Sequence, residues 1–513
     1  MSPNLLVRIC ARITVGSPHE LGMVHAPFNN EPIRSVPLGR EADIIEAVRR
    51  ARGAQVEWAR WSFDQRARIF LAYHDLLLDR QDEILDLMIL ETGKARKHAF
   101  EEVVDTAIVS RYYALHAEDH LRPRKRMGAL PGLTKTWEYR HPLGVVGFIA
   151  PWNYPLTLSM TDAIAALMAG NGVVLKPDMQ TPFTALWGVD LLYTAGLPAD
   201  LFQVVTGRGK VLGEPLIRHA DFISFTGGTE TGCAIARMAG ERLIGCSLEL
   251  GGKNPMIVLD DADVDAAAEG AVRGCFANAG QLCIAIERLY VQAAAYGRFV
   301  ERLVARTKAM RQRASFDYDI DVGSLVSQDQ LDKVVRHVQD ALGKGAWILA
   351  GGRARPDLGP FFHEPTILEG VTPEMDVSSE ETFGPVVSVY RFDTIDEAVR
   401  MANDTTYGLN AGIWTRDAAK AKRLATHLRA GTVNVNEAYA AAWASVDAPM
   451  GGMKDSGLGR RHGAAGILKY TEPQTVALQR LHPIAPPPGV SDEKFSRLVS
   501  MALRLWRRIP GIR

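Results

Sequence analysis

Two residues with the means for carbonyl chemistry stand among glycines: Glu249 in LELGGKNP (248–255) and Cys283 in NAGQLC (278–283), 34 residues apart. A thiolate attacks a carbonyl carbon well, and a nearby carboxylate can activate the water that later releases the acyl group. Flanking glycines let backbone N–H groups, or a flat ring, approach closely. A single cysteine is more often a small buried hydrophobe. The two segments together, with the motifs described below, favour the chemical reading.

Holding that thiol against that carboxylate requires a rigid frame, and the hydrophobic pattern supplies one. From residue 143, short apolar runs alternate with helical stretches: LGVVGFIA, GVVLK, LFQVV, DFISF and LIGCSLEL. Five strands separated by helices predict βαβ units and a doubly wound parallel sheet, with its ligand at the carboxyl ends of the strands. The alternation resumes after residue 254 with PMIVLD, a helix through Ala277, RLYVQ and a helix through Met310. A second α/β domain therefore begins just past Glu249, Cys283 lies in the loop before RLYVQ, and the site falls in the cleft between domains. Residues 41–114 read as helices, with Gly93 of ETGK at a break.

Residues 122–142, rich in Pro, Gly and basic side chains, end in the alternating TKTWEYR and read as a projecting hairpin arm. After APPPG comes an amphipathic helix with Ser491 as N-cap and Phe495, Leu498, Val499, Ala502, Leu505, Trp506 and Ile509 on one face. That face is expected to pack on the body or on a second subunit; the alternative is contact with an anionic membrane surface through 491–513.

At 513 residues, 47% hydrophobic and 23% charged, the composition is that of a soluble globular protein, and two or three domains are expected. Lys+Arg and Asp+Glu balance at 59 each, so no global field draws it to nucleic acid. Five scattered cysteines without a CxxC pair suggest neither a disulfide framework nor a metal site, and a reducing cytoplasm fits them. No run reaches the roughly 18 apolar residues of a membrane span. Arg8 and Arg12 interrupt the N-terminal apolar run, which reads as a poorly ordered extension or an arm laid on the body rather than a secretory signal.

Between about residues 30 and 480 the chain resembles the aldehyde dehydrogenases, in motifs that occur in order and at family spacing: PWNYP (151–155), KPDMQTP (176–182), FTGGTETG (225–232), LELGGKNP, NAGQLC, ETFGP (381–385), GTVNVN (431–436) and PMGGMKDSGLGR (449–460). The wording around NAGQLCIAIER and MGGMKDSGLGRRHG is most similar to the branch called succinate-semialdehyde dehydrogenases. The resemblance implies two doubly wound parallel-sheet domains of the α/β class with a β-arm for oligomerisation. Residues 20–121 and 143–250 would bind NAD(P), 251–462 would form the catalytic domain, 122–142 and 463–483 the arm, and 484–513 a spacer and helix. It further implies a homodimer or homotetramer.

Carried over residue by residue, the resemblance makes Cys283 the nucleophile that forms a thiohemiacetal and then a thioester, Glu249 the base for hydrolytic water, and Asn153 an oxyanion donor beside the Cys283 N–H. Cofactor binding falls to Trp152, Lys176, Met179, Gly207, Thr226, Gly227, Gly228, Leu250, Gly251, Glu381 and Phe383, and the substrate pocket to Tyr154, Thr161, Ala277, Leu282, Ile284 and Met450. No GxGxxG follows a strand; the helix after Gly227 and Gly228 would take the pyrophosphate instead. A CoA-acylating relative would lack the general base, and a non-catalytic scaffold would have lost Cys283 or Glu249; both residues are present.

Three positions depart from the family pattern. Gly228 stands where a serine often meets a phosphate. Met179 stands where NAD-preferring members carry a glutamate that repels a 2′-phosphate, so the reading leans to NADP over NAD, with Lys176 available to that phosphate and Asp178 able to restore repulsion if it points inward. The two arginines with which succinate-semialdehyde members hold the substrate carboxylate are replaced by Thr161 and Ala277. The motifs therefore point to succinate semialdehyde. The apolar pocket points to aliphatic or lipid-derived aldehydes, unless a cation such as Arg288 reaches in.

Overall fold

All five apolar runs between 145 and 249 become strands of one sheet in the computed structural model, which describes residues 3–16, 19–130, 133–481 and 483–508. Side by side they run Gly245–Glu249, Phe222–Thr226, Val145–Ile149, Gly172–Lys176 and Phe202–Val204, all parallel, with Gly457–Leu458 antiparallel on one edge. The chain starts in the middle at Val145–Ile149, builds to one edge, then returns to build the other. Order therefore reverses between Val145–Ile149 and Phe222–Thr226, and a crevice opens at their carboxyl ends. Helices cover both faces, so these strands are largely apolar instead of alternating: Val145, Val146, Val173, Val174 and Leu175 are fully buried.

The second sheet has seven strands in the order Trp347–Ala350, Thr366–Glu369, Val386–Phe392, Ile286–Gln292, Asn254–Val258, Asn410–Trp414 and Thr432–Val435. Only Trp347–Ala350 is antiparallel to its neighbour. The chain passes from the end of Gly245–Glu249 to the start of Asn254–Val258 through Leu250–Lys253. Glu249 thus sits at the carboxyl end of a strand of the first sheet, while Cys283 precedes Ile286–Gln292 at the amino edge of the second.

Helices Glu41–Trp58, Phe63–Asp79, Gln81–Thr92 and Arg96–Leu121 fill the region read as helical. Gly93 ends the third with φ 69°, a left-handed stop that suits glycine. The N-terminal segment differs from the expected loose extension. Pro3–Cys10 is a helix that buries Leu5, Leu6 and Ile9, Arg12 Nε lies 2.9 Å from Asp190, and Ile13 pairs with Val204 at the sheet edge. The three apolar residues at i, i+1 and i+4 share one helical face, and burying it offsets the ordering cost.

By internal contacts the chain divides into two units, Met1–His120 with Pro142–Thr471, and Leu121–His141 with Glu472–Arg513. Both large sheets belong to the first. The second holds a three-stranded sheet in the order Thr471–Gln479, Thr134–Pro142, Arg124–Arg126, in which Arg126 and Glu138 form an ion pair across strands. It also holds the helix Asp492–Trp506, whose N-cap Ser491 accepts from the Lys494 N–H and which has no buried residue. Ile509, predicted on its apolar face, lies outside the described residues. Among the described residues no helix is long and apolar enough to cross a membrane.

Candidate active site

The segment that carries Cys283 is bent into an unusual backbone. After helix Val264–Phe276, Asn278, Ala279 and Gly280 take φ of 50°, 55° and 73°. Two successive non-glycine residues in the left-handed region cost about 1–3 kcal/mol each and persist only where the surroundings enforce them. Those surroundings are explicit. The Asn278 N–H donates to His98 Nδ1 at 3.1 Å, and Asn278 Nδ2 donates to the Asn153 and Gln281 carbonyls at 3.1 Å. Gln281 Oε1 accepts from the Val326 N–H at 2.9 Å. A Cβ on Gly280 would fall 2.1 Å from the Gly384 carbonyl oxygen, which explains the glycine. Asn254 Nδ2 donates to the Cys283 and Ala285 carbonyls at 2.7 Å, tying LELGGKNP to the cysteine loop.

Asn153 faces the same loop, its Nδ2 donating to the Gln281 carbonyl at 3.1 Å. One amide hydrogen is left for a ligand. Its position rests on a buried pair that sequence reading missed. Lys94 Nζ donates to the Asn153 carbonyl at 2.7 Å and to Glu102 at 2.5 Å, and both side chains are wholly buried. Glu102 Oε2 in turn accepts from the Leu156 and Thr157 N–H groups and caps helix Pro155–Met168. Lys94 and Glu102 sit on different elements, so their spacing carries no signal.

Glu249 is buried, and its Oε1 has no hydrogen-bond partner. A Cβ on Gly451 would come within 2.9 Å of that oxygen, so the glycine keeps the space open. Burial pushes the Glu249 carboxyl up to about 7, opposed by the charges of Arg461 and Lys469. The Cys283 thiol is pushed up to about 12, first by burial and then by the negative charges of Glu249 and Glu381. A carboxyl held near neutrality is matched to moving protons at physiological pH.

A cleft of about 200 Å³ joins the two sides and is lined by Trp152, Asn153, Thr226, Gly227, Gly228, Glu249, Leu250, Gly251, Cys283, Glu381 and Phe383, all expected there, together with Pro151, Gln330 and Lys333. It lies at the crevice that the strand order creates. Helix Thr229–Glu241 begins at Gly228 with no side-chain cap, so its first amides remain open to an anion. Trp152 and Phe383 meet edge to face at 5.5 Å. Phe383 takes φ 55°, held by Glu287, which accepts from the Thr382 and Phe383 N–H groups and pairs with buried Lys253. Glu381 accepts from the Gly252 N–H at 2.8 Å, and a Cβ on Gly251 would meet its other oxygen at 2.7 Å. An aromatic wall, a carboxylate and an uncapped helix start fit a flat, polyanionic dinucleotide.

Lys176, Met179 and Gly207 lie outside that lining. Lys176 is buried, with Nζ 3.9 Å from where a Cβ on Gly209 would stand, at the start of helix Gly209–His219. Gly207, φ 156°, packs on Leu212, and the Met179 methyl packs on Gly22. Asp178 Oδ1 accepts from the Gln180 N–H at 2.9 Å, closing its own turn. Gln330 and Lys333 were not anticipated. They come from helix Gln328–Gly343, and Gln330 Nε2 donates to the Thr382 and Phe383 carbonyls.

On the pocket side, Tyr154, Thr161, Ala277, Leu282, Ile284 and Met450 are all buried. Ala277 also lines a cavity of about 850 Å³ with His98, Glu101, Arg273 and Glu437. Arg288 does not reach in: its guanidinium donates to the Lys253, Met401 and Ala402 carbonyls. A cation that does meet a residue of this side is Arg461, which donates to Thr161.

The model of the aldehyde dehydrogenase family matches residues 16–476. The chain belongs to the aldehyde dehydrogenase family. Among its relatives, the protein named "Putative succinate-semialdehyde dehydrogenase (NADP(+))" of Mycolicibacterium smegmatis is 49% identical over 484 residues, 94% of each chain. The betaine aldehyde dehydrogenase of Bacillus subtilis is 38% identical over 453 residues, 87% of this chain and 91% of that one. Among solved structures, an NADP-dependent enzyme of E. coli superposes with a TM-score of 0.86 at 36% identity, covering 90% of this chain and 95% of its own. The NAD+ complex of a Bacillus cereus aldehyde dehydrogenase gives 0.87 at 32%, covering 93% and 99%. As in an aldehyde dehydrogenase, the thiol, the carboxylate and the cofactor-shaped cleft are contiguous here.

Proposed function

We infer that this aldehyde dehydrogenase oxidises succinate semialdehyde to succinate, with NADP preferred over NAD. The observation that carries the oxidation is the convergence of Cys283, Glu249 and Asn153 on the cleft that fits a dinucleotide. When bound there, the dinucleotide supplies the hydride acceptor. Cys283 Sγ, its proton released to water, adds as the thiolate to the aldehyde carbon, and Glu249 stays unprotonated for the second half. The free amide hydrogen of Asn153 and the Cys283 N–H steady the oxyanion, a contribution of ~3–4 kcal/mol for a donor of this kind. Once the carbon is oxidised to the thioester level, Glu249 takes a proton from water and the acid leaves Cys283.

The substrate rests on the relatives at 49% and 48% identity, both named for succinate semialdehyde and NADP(+). Initial rates with NADP, using succinate semialdehyde and a medium-chain alkanal at matched concentrations, test it. A preference for succinate semialdehyde of about a hundredfold or more is expected, the discrimination that one satisfied buried charge supplies. The reverse preference would favour the second reading, an apolar or lipid-derived aldehyde, which draws on the buried apolar residues around Cys283 and the exposed apolar face of Asp492–Trp506.

The NADP preference draws on Met179, three residues after Lys176, and on the Asp178 carboxylate being engaged by its own turn. Met179→Glu is expected to shift the ratio of kcat/KM for NADP over NAD toward NAD by at least about tenfold, since like charges brought together cost 1.4 kcal/mol or more. An unchanged ratio would leave the preference without its cause. Family membership supports a homodimer or homotetramer, with 122–142 and the segment after Gly463 at the subunit interface. Five unpaired thiols are in keeping with a cytoplasmic setting.

A further inference from the structure

A substrate with a carboxylate at the end far from its aldehyde would bury that charge beside Thr161 and Ala277, neither of which can neutralise it. Arg461 can. The chain after Gly457–Leu458 turns back on itself, so that Arg461 and Met450 exchange both backbone hydrogen bonds, at 2.6 and 3.0 Å. Arg461 is thereby drawn inside, 4% exposed. Its Nη2 donates to Thr161 Oγ1 at 2.5 Å, and its Nε lies 3.1 Å from Asp162 Oδ2. Thr161 and Met450 are both residues expected to line the pocket, and Thr161 stands on the helix that follows Asn153.

Arg461 shares its surroundings with a second cation and three acids. Asp162 also carries Lys469, with Nζ 3.2 Å from Oδ1, so one carboxylate serves two cations. Asp162 is held low, to about 2, by those cations. The remaining acids nearby, Asp105 and Glu249, are each pushed up by burial to about 7, and both Asp105 oxygens lack a hydrogen-bond partner. His462, buried and without a partner, is pushed down to about 3 and is neutral. Asp162, Glu249 and Asp105 all favour the charged guanidinium, so Arg461 stands as a buried cation beside Thr161. A planar guanidinium also matches the geometry of a carboxylate.

We propose that Arg461, oriented by Thr161 and Asp162, binds the far carboxylate of the semialdehyde while its aldehyde carbon meets Cys283. The anchor rests on the reading above that the substrate is succinate semialdehyde. It places the specificity-determining cation in the GRRHG segment rather than on helix Pro155–Met168 or before Asn278. Lys469 is a positioning residue, since it reaches the substrate only through Asp162 and Ser247.

The test compares kcat/KM for succinate semialdehyde with that for butanal, the uncharged aldehyde of equal carbon count, in wild type and Arg461→Met. Wild-type discrimination tests the substrate reading; its change in the variant tests the anchor. In Arg461→Met the discrimination is expected to fall by about 30-fold or more, mostly through KM, as for a buried charged hydrogen bond left unmade. Equal losses on both aldehydes would overturn the proposal and leave Arg461 acting on Glu249 alone. Should Arg461→Met fail to fold, Thr161→Val, which removes the acceptor of Nη2 at nearly constant volume, decides the matter. It is expected to lower the discrimination by about three- to tenfold, and unchanged discrimination would overturn the anchor.

Discussion

Cys283→Ala is expected to lower kcat/KM for aldehyde oxidation by about 10⁴-fold or more, the scale on which a covalent mechanism loses its nucleophile. The loss should be chemical rather than structural. The surrounding loop is held through the Cys283 carbonyl, which Asn254 grips at 2.7 Å, and through the side chains of Asn278 and Gln281, none of which the substitution touches. Thermal melting and quenching of protein fluorescence by NADP should therefore match wild type while turnover disappears. Cys275, the neighbouring thiol in sequence, is buried in the apolar core and cannot substitute. Residual turnover within about a hundredfold of wild type would move the nucleophile elsewhere.

Glu249→Gln should separate the two halves of the reaction. Glutamine keeps the shape of the side chain and its place beside Gly451, but it accepts no proton. Stopped-flow mixing of enzyme, NADP and aldehyde should show a burst of reduced cofactor close to one per active site, then a steady rate slower by about 10²–10⁴-fold, the usual contribution of a general base. The pH dependence carries the same signature. Burial raises the Glu249 carboxyl to about 7, so the basic form predominates above that pH and is lost below it. Wild-type deacylation should rise through neutrality and fall about tenfold per pH unit on the acid side. In Glu249→Gln that limb should be absent. A variant without a burst that turns over at the wild-type rate would remove Glu249 from the hydrolytic step.

Much of this architecture is legible in the chain. Strands buried on both faces by helices read as near-continuous apolar runs, as VVGFI (145–149) and GVVL (172–175) do; this separates a parallel sheet from a half-exposed antiparallel one. The break at Gly93 is equally local, because a left-handed helix stop favours one residue type. The glycines around Glu249 and Cys283 mark places where a Cβ would strike carboxylate or backbone, and such sites announce themselves by composition. The N-terminal helix was less legible. Eight residues are too few to form a helix alone, and only the helix Pro182–Thr194 and the sheet edge beneath it make the apolar face of Pro3–Cys10 worth ordering.

The chain by itself thus determined the family and pointed to the candidate groups for the chemistry, since nucleophile, base and phosphate cradle each need a particular residue type in a short local frame. Tertiary structure alone decided what holds and tunes them. Lys94, in the loop before helix Arg96–Leu121, and Glu102, on that helix, fix Asn153; Lys253 and Glu287 fix Phe383 across the second sheet; and Arg461 reaches Thr161 from 300 residues away. The physical reason is that electrostatic and hydrogen-bonding partners act through space over a few ångströms. Elements far apart in sequence supply them equally well, so no spacing along the chain records the pairing.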